Sequence, residues 1–103
     1  MNQVIVRYTV KPERAAENVE LVRAVYDELA RSRPAGLRYA TFQLDDGVSF
    51  VHLAINETDS ARSPLTEVAA FREFQREIAD RCEDQPQVSE AHEVGAYRFF
   101  ERG

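Results

Sequence analysis

Cysteine, histidine and tryptophan are scarce in this chain, with one Cys, two His and no Trp among 103 residues. The lone Cys82 can form no internal disulfide, which fits a reducing compartment. His52 and His92 lie far apart, and there is no His-Glu or Cys-x-x-Cys spacing, so no structural metal is expected. There is no Gly-x-Ser-x-Gly, and Cys82 falls on the apolar stripe of a helical pattern, where a thiol is buried and inert. No apolar run is long enough to cross a bilayer, so no membrane is expected as a partner. The opening Met-Asn-Gln-Val-Ile-Val-Arg enters a strand pattern at once, without the basic region and apolar run of a secretory signal, and the expected location is cytoplasmic. Positive charge is also short, with 13 Lys and Arg against 18 Asp and Glu and a net charge of −5. That balance disfavours a surface built to neutralise phosphates, so nucleic acid is not expected either. Internal repeats and low-complexity tracts are absent.

What remains is an ordinary globular composition, 44% hydrophobic and 30% charged, expected to form one domain over residues 1–103 that buries roughly 60–65% of its unfolded surface. The most informative stretch runs from Tyr39 to Ala54, two β-type runs joined by Asp46-Gly47. Asp-Gly between alternating hydrophobics predicts a tight hairpin through a type I′ turn. The register then sets Leu44 against Ser49, Phe42 against Val51 and Ala40 against Leu53. On the other face Gln43 meets Phe50, Thr41 meets His52 and Tyr39 meets Ala54. The apolar set, Ala40, Phe42, Val51, Leu53 and Ile55, is expected to meet the helices, leaving Tyr39, Thr41, Gln43, Phe50, His52 and Ala54 on the outer face.

Before the hairpin, Val4 to Val10 reads as a strand with Val4, Val6, Tyr8 and Val10 toward a core and Ile5, Arg7 and Thr9 away from it. Pro12 suits the first turn of a helix, whose stripe is Ala15, Val19, Val22, Tyr26 and Leu29, widened by Val25 and ended by Pro34 and Gly36. Beyond the hairpin a polar loop leads to Ser63-Pro64, a cap followed by a first-turn proline. Leu65, Val68, Phe71, Phe74 or Gln75, Ile78 and Cys82 mark a second helix. Its solvated face is expected to carry Arg72, Glu73, Arg76, Glu77, Asp80 and Arg81, with i,i+4 pairs Arg76–Asp80 and Glu77–Arg81. Pro86 stops it, and His92 to Phe100 reads as the last strand, with residues 87–91 as a bent beginning and Gly95 as a bulge or close approach.

The order β-α-β-β-α-β predicts an α+β, ferredoxin-like fold: a four-stranded antiparallel sheet with two helices on one face. The uncovered face, with Phe50, Tyr39, Ile5 and aromatics of the last strand, is too apolar to leave in water, so a homodimer through the sheet face is expected.

Val4-Ile-Val-Arg-Tyr-Thr-Val-Lys-Pro12, the long helix, the Asp-Gly hairpin, Ala70-Phe-Arg-Glu-Phe74 and Val94-Gly-Ala-Tyr-Arg-Phe-Phe100 together resemble the dimeric α+β barrel superfamily, near the antibiotic biosynthesis monooxygenase-like domains. The resemblance rests on layout over nearly the whole chain. It implies two sheets packed face to face in a barrel, and a small molecule bound between each sheet and its helices. It also implies a cofactor-independent monooxygenase-like activity on a small hydrophobic or aromatic molecule, or a non-catalytic dimeric barrel that binds a ligand or serves structurally. The heme-degrading branch uses an axial His on the second helix with a Trp and an Asn; this chain has no Trp, and no His between Leu65 and Glu83. No cofactor is therefore expected. Tyr8, Tyr26, Phe42, Phe71 and Phe74 either line the cleft or, as aromatics at helical and strand spacing usually do, simply fill the core. His52, Tyr26 and Tyr8 are the candidate catalytic residues, and His52 could be a general base near neutral pH or a hydrogen-bonded histidine at the interface. His92, at the start of the expected last strand, is a weaker candidate.

Overall fold

β1, Asn2–Val10, is β-branched and aromatic and occupies an interior position in the sheet, paired with a strand on either side. A computed structural model describes residues 2–58 and 63–100. A 3-10 turn at Pro12–Arg14 leads into α1, Ala15–Ser32, which ends where Arg33 turns left-handed (φ 45°) and Pro34 follows. The hairpin strands are β2, Leu37–Gln43, and β3, Ser49–Asn56. A 3-10 turn at Pro64–Glu67, capped by the Ser63 hydroxyl accepting from Leu65 N–H, precedes α2, Ala69–Arg76, the short α3, Ile78–Arg81, and β4, Cys82–Glu90. The strand order is β2-β3-β1-β4, all neighbours antiparallel, with the helices on one face. This is the expected α+β, ferredoxin-like βαββαβ arrangement.

The stripe read on α1 is the buried one: Val22 and Val25 are in the core, with Ala15, Val19, Tyr26 and Leu29 packed against it. α1 also serves α2 directly. Val68 offers α2 no side-chain cap, and Glu28 of α1 accepts from Ala69 N–H (3.1 Å) and Ala70 N–H (2.9 Å) instead. A carboxylate in that position satisfies two otherwise orphaned donors and opposes the positive end of the helix dipole.

The hairpin register is as expected, Phe42 opposite Val51 and Thr41 opposite His52. The turn is not. Leu44 carbonyl accepts from Gly47 N–H, and only Gly47 has positive φ (78°), so residues 45–48 form a looser loop than a type I′ turn. Asp46 organises it, its carboxylate accepting from Val48 N–H, Ser49 N–H and the Ser49 hydroxyl. Those bonds stabilise the ionised carboxylate and lower its pKa.

The sheet faces are the reverse of the expected hairpin assignment. Val6 pairs with His52 and Tyr8 with Phe50. Residues directly opposite each other share a face, so the inward even positions of β1 draw the even positions of β3 inward. Tyr39, Thr41, Phe50, His52 and Ala54 therefore meet the helices, and Ala40, Phe42, Val51, Leu53 and Ile55 look outward.

The second half departs from expectation at two further points. The helix read as continuous from Leu65 is broken at Glu77 (φ −125°), and Cys82 belongs to β4. The break removes both expected i,i+4 pairs; Arg76 bonds Glu73 instead (2.8 Å). The last strand lies at Cys82–Glu90, not at residues 92–100. Its Glu-Asp-Gln-Pro-Gln texture suits a sheet edge, where charge and proline discourage further pairing, and its register with β1 shifts around Thr9. Residues 91–100 instead cross the outer face, with Phe99 stacked on Phe100 (4.3 Å) and Phe100 on Phe42 (5.8 Å). Left-handed φ at Arg98 (50°) and Phe100 (57°) is incompatible with an extended strand there.

Candidate functional site

Between sheet and helices lies a cavity of about 170 Å³. Its walls are almost entirely apolar, among them Val6, Leu65, Phe71, Phe74 and Ile78, and its polar edge is Tyr8, Tyr39, His52 and Gln75. An apolar cavity of roughly 150 Å³ is large enough to take up benzene, so this one matches a single six-membered ring.

His52 is 4% exposed and held at both ring nitrogens. The Tyr8 hydroxyl lies 2.8 Å from Nε2; the Tyr39 hydroxyl lies 2.6 Å and Thr41 Oγ1 3.1 Å from Nδ1. The chain of polar contacts extends both ways. Thr41 meets the Tyr26 hydroxyl at 2.7 Å, and Tyr8 accepts from Asn18 Nδ2 at 2.9 Å. Asn18 Oδ1 accepts from Arg81 Nε at 3.1 Å, and Arg81 also donates to the Phe74 carbonyl (2.6 Å) while lying over the Phe74 ring. Among the described residues, no buried side-chain nitrogen or oxygen lacks a partner.

Burial sets the protonation states. It lowers the pKa of His52 to about 4, so the imidazole is neutral at pH 7. It raises the tyrosines: Tyr26 is pushed up to about 12, and Tyr8 and Tyr39 go higher still, only partly offset by Asn18 beside Tyr8 and Thr41 beside Tyr39. The Arg81 pKa is lowered by burial and that of Cys82 raised. The site is thus a neutral imidazole and two protonated phenols, Tyr8 and Tyr39, facing an apolar pocket, with a third phenol, Tyr26, behind them and one buried cation at the end of the chain.

The structure brings all three candidate residues into one network: His52 and Tyr8 line the cavity, and Tyr26 stacks on Tyr39 (5.3 Å) in a neighbouring groove. His52 faces the helices, not the outer face where it was expected. His92 is exposed beyond the end of β4, and Phe42 is on the outer face, away from the cleft. Three participants escape a reading of the sequence. Tyr39 is expected on the other face. Arg81 is expected on the solvated side of a helix but is 1% exposed, because the break at Glu77 rotates the turn after it. Asn18 lies three positions after Ala15 and four before Val22, and a polar residue at that spacing on the apolar stripe is the signal that could have found it. Among the described residues no group of three or more His, Cys, Asp or Glu could hold a metal ion, and no helix is long and apolar enough to cross a membrane.

Solved structures share this architecture at low sequence identity. A Nitrosomonas europaea protein provisionally assigned as an antibiotic biosynthesis monooxygenase is 20% identical, covering 92% of this chain and 100% of its own, with a TM-score of 0.75. The fold is that of the antibiotic biosynthesis monooxygenase-like structures. A provisional monooxygenase of the same kind from Bordetella bronchiseptica is 22% identical over 90% of this chain and 96% of its own, with a TM-score of 0.63. A protein of unknown function from Nitrosomonas europaea is 11% identical over 93% of this chain and 91% of its own, with a TM-score of 0.72. No protein-family model and no curated protein matches the sequence. In this chain the shared fold holds the His52 network and the adjacent cavity between its sheet and helices.

Proposed function

We propose that this chain is a cofactor-independent monooxygenase-like protein acting on a small hydrophobic or aromatic molecule bound between sheet and helices. The observation that carries the reading is the cavity of about 170 Å³ bordered by neutral His52 between Tyr8 and Tyr39. Apolar walls exclude water, and the hydroxyls can hold the oxygen of an electron-rich ring and stabilise it as an oxyanion. Oxidation of a hydroquinone ring C–H to give a hydroxyquinone, or of an anthrone CH₂ to give a carbonyl, by one dioxygen with release of one water balances without a cofactor because the substrate supplies all four electrons. The cavity falls below the 300–1,000 Å³ usual for ligand pockets, so a single-ring substrate is favoured over larger fused rings.

Oxygen consumption tests the reading, with single-ring hydroquinones and larger quinols and anthrones as substrates. Uptake above the buffer rate with a single-ring substrate, lowered in His52→Ala and Tyr26→Phe, supports it. Binding without uptake favours the second reading, a non-catalytic ligand-binding or structural barrel, for which the small volume of the cavity already speaks.

We also propose a homodimer through the outer sheet face, in a cytoplasmic setting. Ile5 and Phe42 are each 39% exposed there, beside half-buried Val51, Leu53 and Ile55. An apolar sheet face of this kind fits its own copy across a two-fold axis. Sedimentation as a dimer at micromolar concentration is expected; a monomer contradicts it.

A further inference from the structure

We propose that Asn18, oriented by the buried guanidinium of Arg81, is a positioning residue that holds His52 in its Nδ1–H tautomer and so leaves one tyrosine or threonine hydroxyl free to donate to a carbonyl or enolate oxygen of the ligand. The ligand half rests on the cavity being the binding site; the tautomer half does not.

The polarity begins at a group that can only donate. Arginine has no acceptor, so the Asn18 atom facing Arg81 Nε must be Oδ1, which settles an amide orientation otherwise open to a flip. Asn18 Nδ2 therefore faces Tyr8 and donates to its oxygen. Asn18 and His52 are the hydrogen-bond partners of the Tyr8 hydroxyl, and the Asn18 amide nitrogen cannot accept. The phenolic hydrogen thus goes to His52 Nε2, since any other direction strands it in the apolar core. A neutral imidazole accepting at Nε2 carries its proton on Nδ1, and Nδ1 faces only hydroxyl oxygens, those of Tyr39 and Thr41.

Hydrogen counting supplies the next step. Tyr39, Thr41 and Tyr26 bring three hydroxyl hydrogens. Their one mutual hydrogen bond, Thr41 with Tyr26, uses one of them. With Nδ1 protonated, the imidazole cannot accept from Tyr39. The Tyr39 hydrogen is left to point out of the cluster, and Tyr39 borders both the cavity and the groove of about 460 Å³ that Tyr26 also lines. In the opposite tautomer Nδ1 absorbs that hydrogen, and this donor is lost to a ligand. The distant cation thereby selects a ligand with an acceptor oxygen, without touching it.

Long-range ¹H–¹⁵N NMR of the labelled protein reads the His52 tautomer directly. A protonated Nδ1 and a bare Nε2 are expected. In Asn18→Asp the carboxylate still accepts from Arg81 but now also accepts from Tyr8. Tyr8 turns its hydrogen away from His52, and the tautomer changes to Nε2–H. If Asn18→Asp fails to fold, the wild-type tautomer alone decides the proposal. A wild-type Nε2–H or even mixture overturns the proposal, as does an unchanged tautomer in Asn18→Asp. Cyclohexanone and its oxygen-free isostere methylenecyclohexane test the donor. Asn18→Asp is expected to weaken cyclohexanone about tenfold, the upper worth of one hydrogen bond, and to leave the isostere within about twofold. Equal changes in both overturn the donor half. Binding of neither by the wild type removes the cavity as the site and the ligand half with it, while the wild-type tautomer still decides the positioning half.

Discussion

The two faces of the sheet divide their chemistry in the opposite sense from a simple two-layer sandwich. The face against the helices carries the hydroxyls of Tyr8, Tyr39 and Thr41 and the imidazole of His52; the outer face carries Ile5, Phe42, Val51, Leu53 and Ile55. Polar groups survive inside because each has a partner there, and a fully satisfied buried network specifies one arrangement of the core. Apolar groups on the outside are covered only in part, by residues 91–100 folding back over Phe42. The proposed chemistry thus lies on the inner face and the proposed dimer contact on the outer one.

The strongest way to break the inner face is to remove its cation. Arg81→Met leaves Asn18 Oδ1 and the Phe74 carbonyl without their donor in a dry core, and a loss of about 3 kcal/mol in urea unfolding is expected. A loss below about 1 kcal/mol would show that Arg81 is not anchored as described. Next is pH. His52 has its folded pKa lowered to about 4, so its neutral form contributes stability above the unfolded value near 6.5. That contribution is lost as pH falls toward 4, amounting to about 2 kcal/mol by pH 5. Denaturant midpoints between pH 7 and pH 5 should show the fall in wild type and its absence in His52→Phe. Glu28→Ala removes the carboxylate that caps α2 from α1 and should cost about 1 kcal/mol, while Glu28→Gln retains part of it. The outer face gives the smallest change in the fold. Phe42→Asp should cost the monomer no more than about 1 kcal/mol, the worth of its stack on Phe100, yet abolish the proposed dimer in sedimentation. If the core unfolds instead, the division between the faces is wrong.

Much of the fold was legible because it depends on local pattern. The α1 stripe, the cap at Ser63 and the hairpin register all arise from neighbours within a few residues. The face assignment depended on something non-local: how β1 aligns with β3. Once Val6 lies opposite His52, Tyr8 and His52 must share a face; the hairpin alone, with one face richer in aliphatics, pointed the other way. β4 was hidden because an edge strand need not look apolar, and Arg81 because a helix break is invisible to a periodicity that runs through it. Tyr8, Tyr26 and His52 could be picked out by residue type. Asn18 and Arg81 act through partners far away in sequence, and only the folded chain shows the line connecting them.

The most direct measurement is a titration of the ¹⁵N-labelled protein with hydroquinone, followed by NMR. The expected result is saturable shifts concentrated at Val6, Tyr8, Tyr39, His52 and Phe74, together with the His52 ring nitrogens. Shifts confined to Leu53, Ile55, Phe99 and Phe100, or none at saturating ligand, would contradict a functional site on the inner face.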